Sequence, residues 1–270
     1  MSADPTRRRF LAHAAAGVAI LCGVELGSAL AAASPSALPE KGSARSTVVN
    51  YATYVHDRSR VDAARAEHQA YADSLREDGR LAMGGPLLGD DGRPRGVLLV
   101  YDVAEARQAE SLAQLDPFVV KGAMAGYRLA EWTVLESNVE LLAASLVPPD
   151  RRGSPKPAPG PAGVAASEPE TRPLRTYVDY ARFVSDRARV ERVRARHRSY
   201  AGQLGAAGQL IMEGPFADES GALGIYRARS KDEAIALRLQ DPYFAEGVVE
   251  AHELSEWRLF GLNEALIPRR

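Results

Sequence analysis

The chain has 270 residues, 46% of them hydrophobic and 26% charged, with a formal net charge of -1. That length suits about two domains of roughly 100–150 residues. Near-neutral charge excludes a global electrostatic footprint for nucleic acid or an acidic membrane surface, and a single cysteine, Cys22, excludes a disulfide framework within the chain.

Residues 1–33 read as a twin-arginine signal peptide. Arg7-Arg8-Arg9-Phe10-Leu11 opens an apolar run to Leu21, and Ala29, Ala31 and Ala33 supply small residues for cleavage. The run is shorter than the roughly 20 apolar residues of a membrane span. Export to the periplasm or beyond is predicted, with no thiol and no membrane association once the signal is removed. An amphipathic N-terminal helix is the alternative. The bulky Leu21 argues against lipidation of Cys22. Residues 34–45 read as a flexible tether.

The remainder is an internal repeat. Asp57–Pro86 matches Asp186–Pro215 without a gap, and His68, Tyr71 and Gly79 recur 129 residues later as His197, Tyr200 and Gly208. After the Gly-Pro the offset falls to 125, so Asp116-Pro117-Phe118 matches Asp241-Pro242-Tyr243 and Trp132 matches Trp257. The difference falls in one loop, Leu88 to Gly96. Domain 1 is assigned to 46–146 and domain 2 to 174–270. The Pro-, Gly-, Ala- and Ser-rich stretch 147–173 reads as a linker.

Each copy predicts one element order. Thr47–Val55 is β-branched and aromatic, a strand. Arg58–Glu77 carries Val61, Ala64, His68, Tyr71 and Leu75 at helical spacing, and Gly79 closes that helix. Leu81–Leu87 and Gly96–Val103 read as a hairpin, Ala104–Gln114 as a helix and Tyr127–Leu135 as the last strand. This is the ferredoxin-like βαββαβ order, an α+β fold. One face of such a sheet lacks helices and needs a cover. The two copies are therefore expected to pack together as a pseudo-dimeric α/β barrel or sandwich, with Trp132 and Trp257 between the sheets.

His68 and His197 are the only histidines at equivalent positions. An imidazole facing the sheet is poised to move a proton near neutral pH; a core histidine bonded to backbone is the alternative. Asp116 and Asp241 precede proline, which suits a helix N-cap, yet a carboxylate beside the imidazole would also orient it. Arg65 and Arg194 lie one helical turn before each histidine, placed for a two-pronged contact with a substrate carboxylate or for solvent. Gly85 and Gly214 permit close approach by a ligand or serve a plain turn. Phosphate loops, dinucleotide motifs, zinc motifs and cysteine clusters are absent from the sequence. One histidine and one aspartate per copy are too few for a metal centre, so neither metal nor cofactor is expected.

The pattern R-x-x-H-x-x-Y-x-x-x-L-x-x-x-G-x-L-x-x-x-G-P followed by D-P-[FY] runs from Arg65 through Pro86 to Asp116, and again from Arg194 through Pro215 to Asp241. It resembles the YciI-like (YCII-related) domains. The resemblance implies a ferredoxin-like fold that pairs into a dimeric α/β barrel, and His-Asp dyads at His68/Asp116 and His197/Asp241. A characterised member of that family eliminates chloride from a chlorinated hydroxyquinone. This chain departs from typical members in being a fused tandem and in carrying an export signal.

The expected function is a cofactor-independent lyase or isomerase acting on a small cyclic or acidic molecule. The histidines would be general bases, and Arg65, Arg194, Tyr71 and Tyr200 would hold substrate. The alternative is a non-catalytic small-ligand-binding module of the cell envelope.

Overall fold

The computed structural model describes residues 45–148, 152 and 173–269. The signal peptide with Cys22, the tether up to residue 44 and most of the linker lie outside the described residues.

Domain 1 runs β1 (Ser46–Tyr54), α1 (Arg58–Glu77), β2 (Leu81–Leu88), β3 (Pro94–Val103), α2 (Ala106–Leu115), α3 (Pro117–Val120) and β4 (Met124–Glu131). Then β5 (Glu136–Ser137) and α4 (Val139–Ala144) follow. Domain 2 repeats the order as β6 (Arg175–Phe183), α5 (Arg187–Ala206), β7 (Leu210–Pro215), β8 (Gly221–Ala228), α6 (Lys231–Leu239), α7 (Pro242–Ala245) and β9 (Val249–Trp257), with β10 (Gly261–Leu262) beyond.

Local chemistry sets the boundaries. Asp57 caps α1 by accepting from the Ser59 and Arg60 amides. Gly79 follows that helix at φ 68° and Gly208 follows α5 at φ 69°, a conformation only glycine adopts freely. Asp116 and Asp241 cap α3 and α7 ahead of proline.

The ten strands join one antiparallel sheet in the order β4-β1-β3-β2-β9-β6-β8-β7-β5, with β10 pairing β2 off that path. The last strand of each domain does not end where the sequence suggests. β4 pairs with β1 as far as Glu131. From there the chain crosses to domain 2, where the Thr133 amide donates to Pro215 and the Leu135 amide to Glu213, both at 2.9 Å. Domain 2 reciprocates: the Arg258 amide donates to Pro86 at 3.0 Å and the Phe260 amide to Gly84 at 2.9 Å. A Trp132–Phe216 bridge completes the circuit, so the sheet closes as a pseudo-dimeric α/β barrel.

These crossings explain the recurrent Gly-Pro. A Cβ on Gly85 would lie 1.9 Å from the Arg258 carbonyl oxygen, and one on Gly214 would lie 1.9 Å from that of Thr133. The glycines lie within strands and not in turns, and they admit the other domain's chain. Trp257 donates its indole N–H to the Gly85 carbonyl and Trp132 donates to Gly214. Both indoles are buried in the barrel interior with Tyr51, Leu98, Val100, Phe216, Leu223 and Ile225. That interior is packed with side chains from both copies.

Candidate active site

Helix α1 presents Val61, Ala64, His68 and Leu75 to the outer face of the sheet. His68 is 7% exposed and Asp116 is 1% exposed. The His68 Nδ1 lies 2.9 Å from both Asp116 carboxylate oxygens, and Asp116 Oδ1 also accepts from the Phe118 amide at 2.8 Å. An ionised carboxylate only accepts, so Nδ1 must carry a proton. That assignment leaves Nε2 as the ring's base. Phe118 stacks on the imidazole with centroids 4.1 Å apart and fixes its plane.

The ring borders a cleft of about 230 Å³ between α1 and the sheet. Tyr54, Leu81, Leu99 and Phe118 make its apolar wall, and Gly84 also lines it, with the Leu99 side chain packed over its Cα. Phe260 and Gly261 from domain 2 complete the cleft, so both copies build it. Arg65, Arg76 and Arg152 bring positive charge against one lining carboxylate beyond the dyad, Asp73. Arg76 pairs with Asp73 at 2.6 Å, and Arg65 with Asp62. Arg152 donates from Nε to the Val147 carbonyl at 3.1 Å.

Domain 2 keeps the dyad and loses the space. His197 Nδ1 lies 3.0 Å from both Asp241 oxygens, and Tyr243 stacks on the ring at 4.1 Å. On the other side of the ring Glu213 Oε1 is 3.4 Å from Nε2. Burial pulls the imidazole down, but hydrogen bonds and charge from Asp241 and Glu213 outweigh it and push His197 up to about 9. It is an imidazolium held between two carboxylates. The voids beside it are only about 20 and 30 Å³.

The difference traces to one cross-strand pair. Gly84 on β2 faces Leu99 on β3, whereas the equivalent Glu213 on β7 faces Gly224 on β8. Arg194 is likewise engaged by carboxylates, with Glu191 at 2.7 Å and Glu219 at 3.2 Å.

Tyr71 and Tyr200 stand apart from the clefts. Tyr71 donates to the Leu112 carbonyl at 2.9 Å and Tyr200 to that of Leu237 at 2.7 Å. Each hydroxyl ties one helix to the next, and neither tyrosine lines the cleft of domain 1 or the two voids beside His197. Sequence reasoning missed Glu213, whose signal is the Gly84/Glu213 mismatch inside the Met-x-Gly-Pro that both copies share. It also missed a buried network in domain 2, where Arg238 pairs with Asp179 and His252 Nδ1 lies 3.1 Å from the same carboxylate. Among the described residues no group of three or more His, Cys, Asp or Glu side chains is arranged to hold a metal ion, and no helix is long and apolar enough to cross a membrane.

The YCII-related domain model matches residues 46–133 and 176–258. No curated protein matches the chain. Among solved structures the chain is similar to 5-chloro-2-hydroxyhydroquinone dehydrochlorinase from Burkholderia phenoliruptrix AC1100, solved with 2,5-dihydroxybenzoquinone: 26% identity, 32% of this chain, 93% of that one and a TM-score of 0.29. A heme-binding protein from Thermus thermophilus shares 10% identity over 82% of this chain and 92% of that one, with a TM-score of 0.45. Chlorite dismutase from Candidatus Nitrospira defluvii shares 11% over 80% and 92%, with a TM-score of 0.44.

Proposed function

The chain belongs to the YCII-related domain family, and from that premise we propose that it is an exported, cofactor-independent acid–base catalyst whose working site is the domain 1 cleft. The observation that carries this reading is the His68–Asp116 contact at 2.9 Å on the edge of a 230 Å³ cleft. Asp116 fixes the tautomer and stabilises the imidazolium that forms. His68 Nε2 takes a proton from a C–H or O–H of a small cyclic substrate. The electron pair of the broken bond moves into the ring and expels a leaving group or shifts a double bond. The imidazolium then returns the proton to product or solvent.

Domain 2 has a different part in this reading. Glu213 holds the Nε2 edge of His197, so that imidazole is not an available base. Domain 2 covers the open face of domain 1 and supplies Phe260 and Gly261 to its cleft. The export signal at 1–33 places the reaction outside the cytoplasm in this proposal.

The test is turnover of a panel of lactones and hydroxyquinones by the full chain. His68→Ala is expected to lower the rate by about 10²–10⁴-fold, the usual worth of a positioned acid–base group, while His197→Ala leaves it within a few-fold. Equal losses in the two variants would sink the assignment. A ligand that binds at His68 and is recovered unchanged would favour the non-catalytic binding module instead.

A further inference from the structure

We propose that the domain 1 cleft takes a small ring molecule bearing two acidic oxygens, one on His68 Nε2 and the other on Arg65, and that domain 2 carries a built-in copy of that ligand in Glu213 and Glu219. The proposal rests on the acid–base reading above and names its substrate class.

The two copies are a natural comparison. The His-Asp dyad, the stacked aromatic ring and the Arg one turn upstream are common to both. So is the arginine's first partner, Asp62 in domain 1 and Glu191 in domain 2. What differs is what lies over the histidine and the arginine. In domain 2, Glu213 Oε1 sits 3.4 Å from His197 Nε2 and Glu219 Oε1 sits 3.2 Å from Arg194 Nη2. Both carboxylates line one void of about 30 Å³ together with Arg194 and His197.

Domain 1 has neither acid. Gly84 replaces Glu213. The loop that corresponds to the one bearing Glu219 contains Asp90 and Asp91, and both are turned elsewhere. Asp90 pairs with Lys231, and Asp91 accepts from the Arg93 amide at 3.0 Å. The cleft opens to about 230 Å³, room for a small ring, between apolar walls that include Leu99 and Phe118. A site whose twin is neutralised by two carboxylates is complementary to a dianion, with His68 Nε2 taking up the proton that the acidic oxygen or solvent gives up on binding.

Calorimetry on the full chain tests this with phthalate (two ring carboxylates), benzoate (one) and benzamide (none). Phthalate is expected to bind at one site per chain, benzoate about tenfold or more weakly, and benzamide weaker still, since a hydrogen bond to a charged group is worth roughly 1.5–3 kcal/mol. Arg65→Ala should bring phthalate down to the affinity of benzoate. Gly84→Glu with Leu99→Gly copies the domain 2 pair and should abolish binding. The reverse change, Glu213→Ala with Glu219→Gly, should raise the stoichiometry to two and keeps the test open if the first pair fails to fold. Equal affinity for benzamide and phthalate, two sites in the wild type, indifference to Arg65→Ala, or no binding of any probe would each overturn the proposal. Turnover lost in His68→Ala without phthalate binding would sink the dianion and leave the base. Phthalate binding without turnover of any panel compound would do the opposite.

Discussion

Glu213 Oε1 lies 3.4 Å from His197 Nε2, and where Glu213 stands the first copy has Gly84. Against the lowering effect of burial, the hydrogen bond to Asp241 together with that contact raises the His197 pKa from 6.5 to about 9. The groups facing it are Asp241, Glu213 and the Tyr243 ring, with Arg194 one turn away on the same helix. A raised histidine pKa stabilises the fold at low pH: the contribution is fully present below about 6.5 and is lost as pH rises through about 9. Its size is on the order of 3 kcal/mol. Glu213→Gln should drop the His197 pKa toward its ordinary value and flatten the loss of stability between those limits. Imidazole NMR titration and urea unfolding at pH 6 and pH 9 would read both. An unchanged titration would show that Asp241 alone sets the charge.

Asp116 has two tasks, and one variant separates them. Asparagine is as good an N-cap as aspartate, so Asp116→Asn keeps the bond from the Phe118 amide. It removes the charge that fixes the His68 tautomer. Stability should change by less than about 1 kcal/mol, whereas kcat should fall by orders of magnitude, as when a triad aspartate is amidated. The pH-rate profile should shift as well. A large loss of stability with an unshifted profile would mark Asp116 as a cap only.

Among the described residues, Gly85 and Gly214 should be the least replaceable glycines. An added methyl at either would sit 1.9 Å from a backbone oxygen of the other domain, which has no rotamer in which to escape. Overpacking commonly costs about 1–3 kcal/mol, and a backbone collision should reach or exceed the top of that range. Thermal unfolding of Gly85→Ala should therefore show a Tm lower by many degrees, with Trp257 fluorescence altered because its Gly85 acceptor moves. Gly79→Ala, with open space around its Cβ, should cost only the strain of a positive φ.

Much of this was legible in the residues themselves. The Val61, Ala64, His68 stripe, Gly79 and the Asp-Pro cap all report local geometry, and local geometry is written locally. The closure of the barrel is not. Thr133 bonds to Pro215 and Arg258 to Pro86, partners far apart in sequence, so a strand that reads as one run from Tyr127 to Leu135 pairs first with its own domain and then with the other. The recurrent Gly85 and Gly214 advertised close approach without saying what approaches. Tyr71 illustrates the reverse limit: its spacing fits the helix stripe, but only the position of the Leu112 carbonyl shows where its hydroxyl goes. Glu213 was visible as a mismatch with Gly84, yet its meaning depends on what lies across the strand, Gly224 in one copy and Leu99 in the other.

The buried ion network of domain 2 supplies the last test, because domain 1 shows how to do without it. Arg238 is 3% exposed, pairs with Asp179 and lies over the Phe244 ring at 4.1 Å. The equivalent positions in domain 1 hold Asn50 and Ala113. Asn50 meets Tyr101 Oη at 3.2 Å instead. Arg238→Ala alone should leave the Asp179 carboxylate, 2% exposed, with His252 in place of its buried cation, and cost up to about 3–5 kcal/mol. Adding Asp179→Asn removes the stranded charge and recreates the domain 1 pair, so most of that loss should return. A double-mutant cycle by urea denaturation measures the coupling. If the two losses simply add, the guanidinium acts through its packing against Phe244 rather than through its charge.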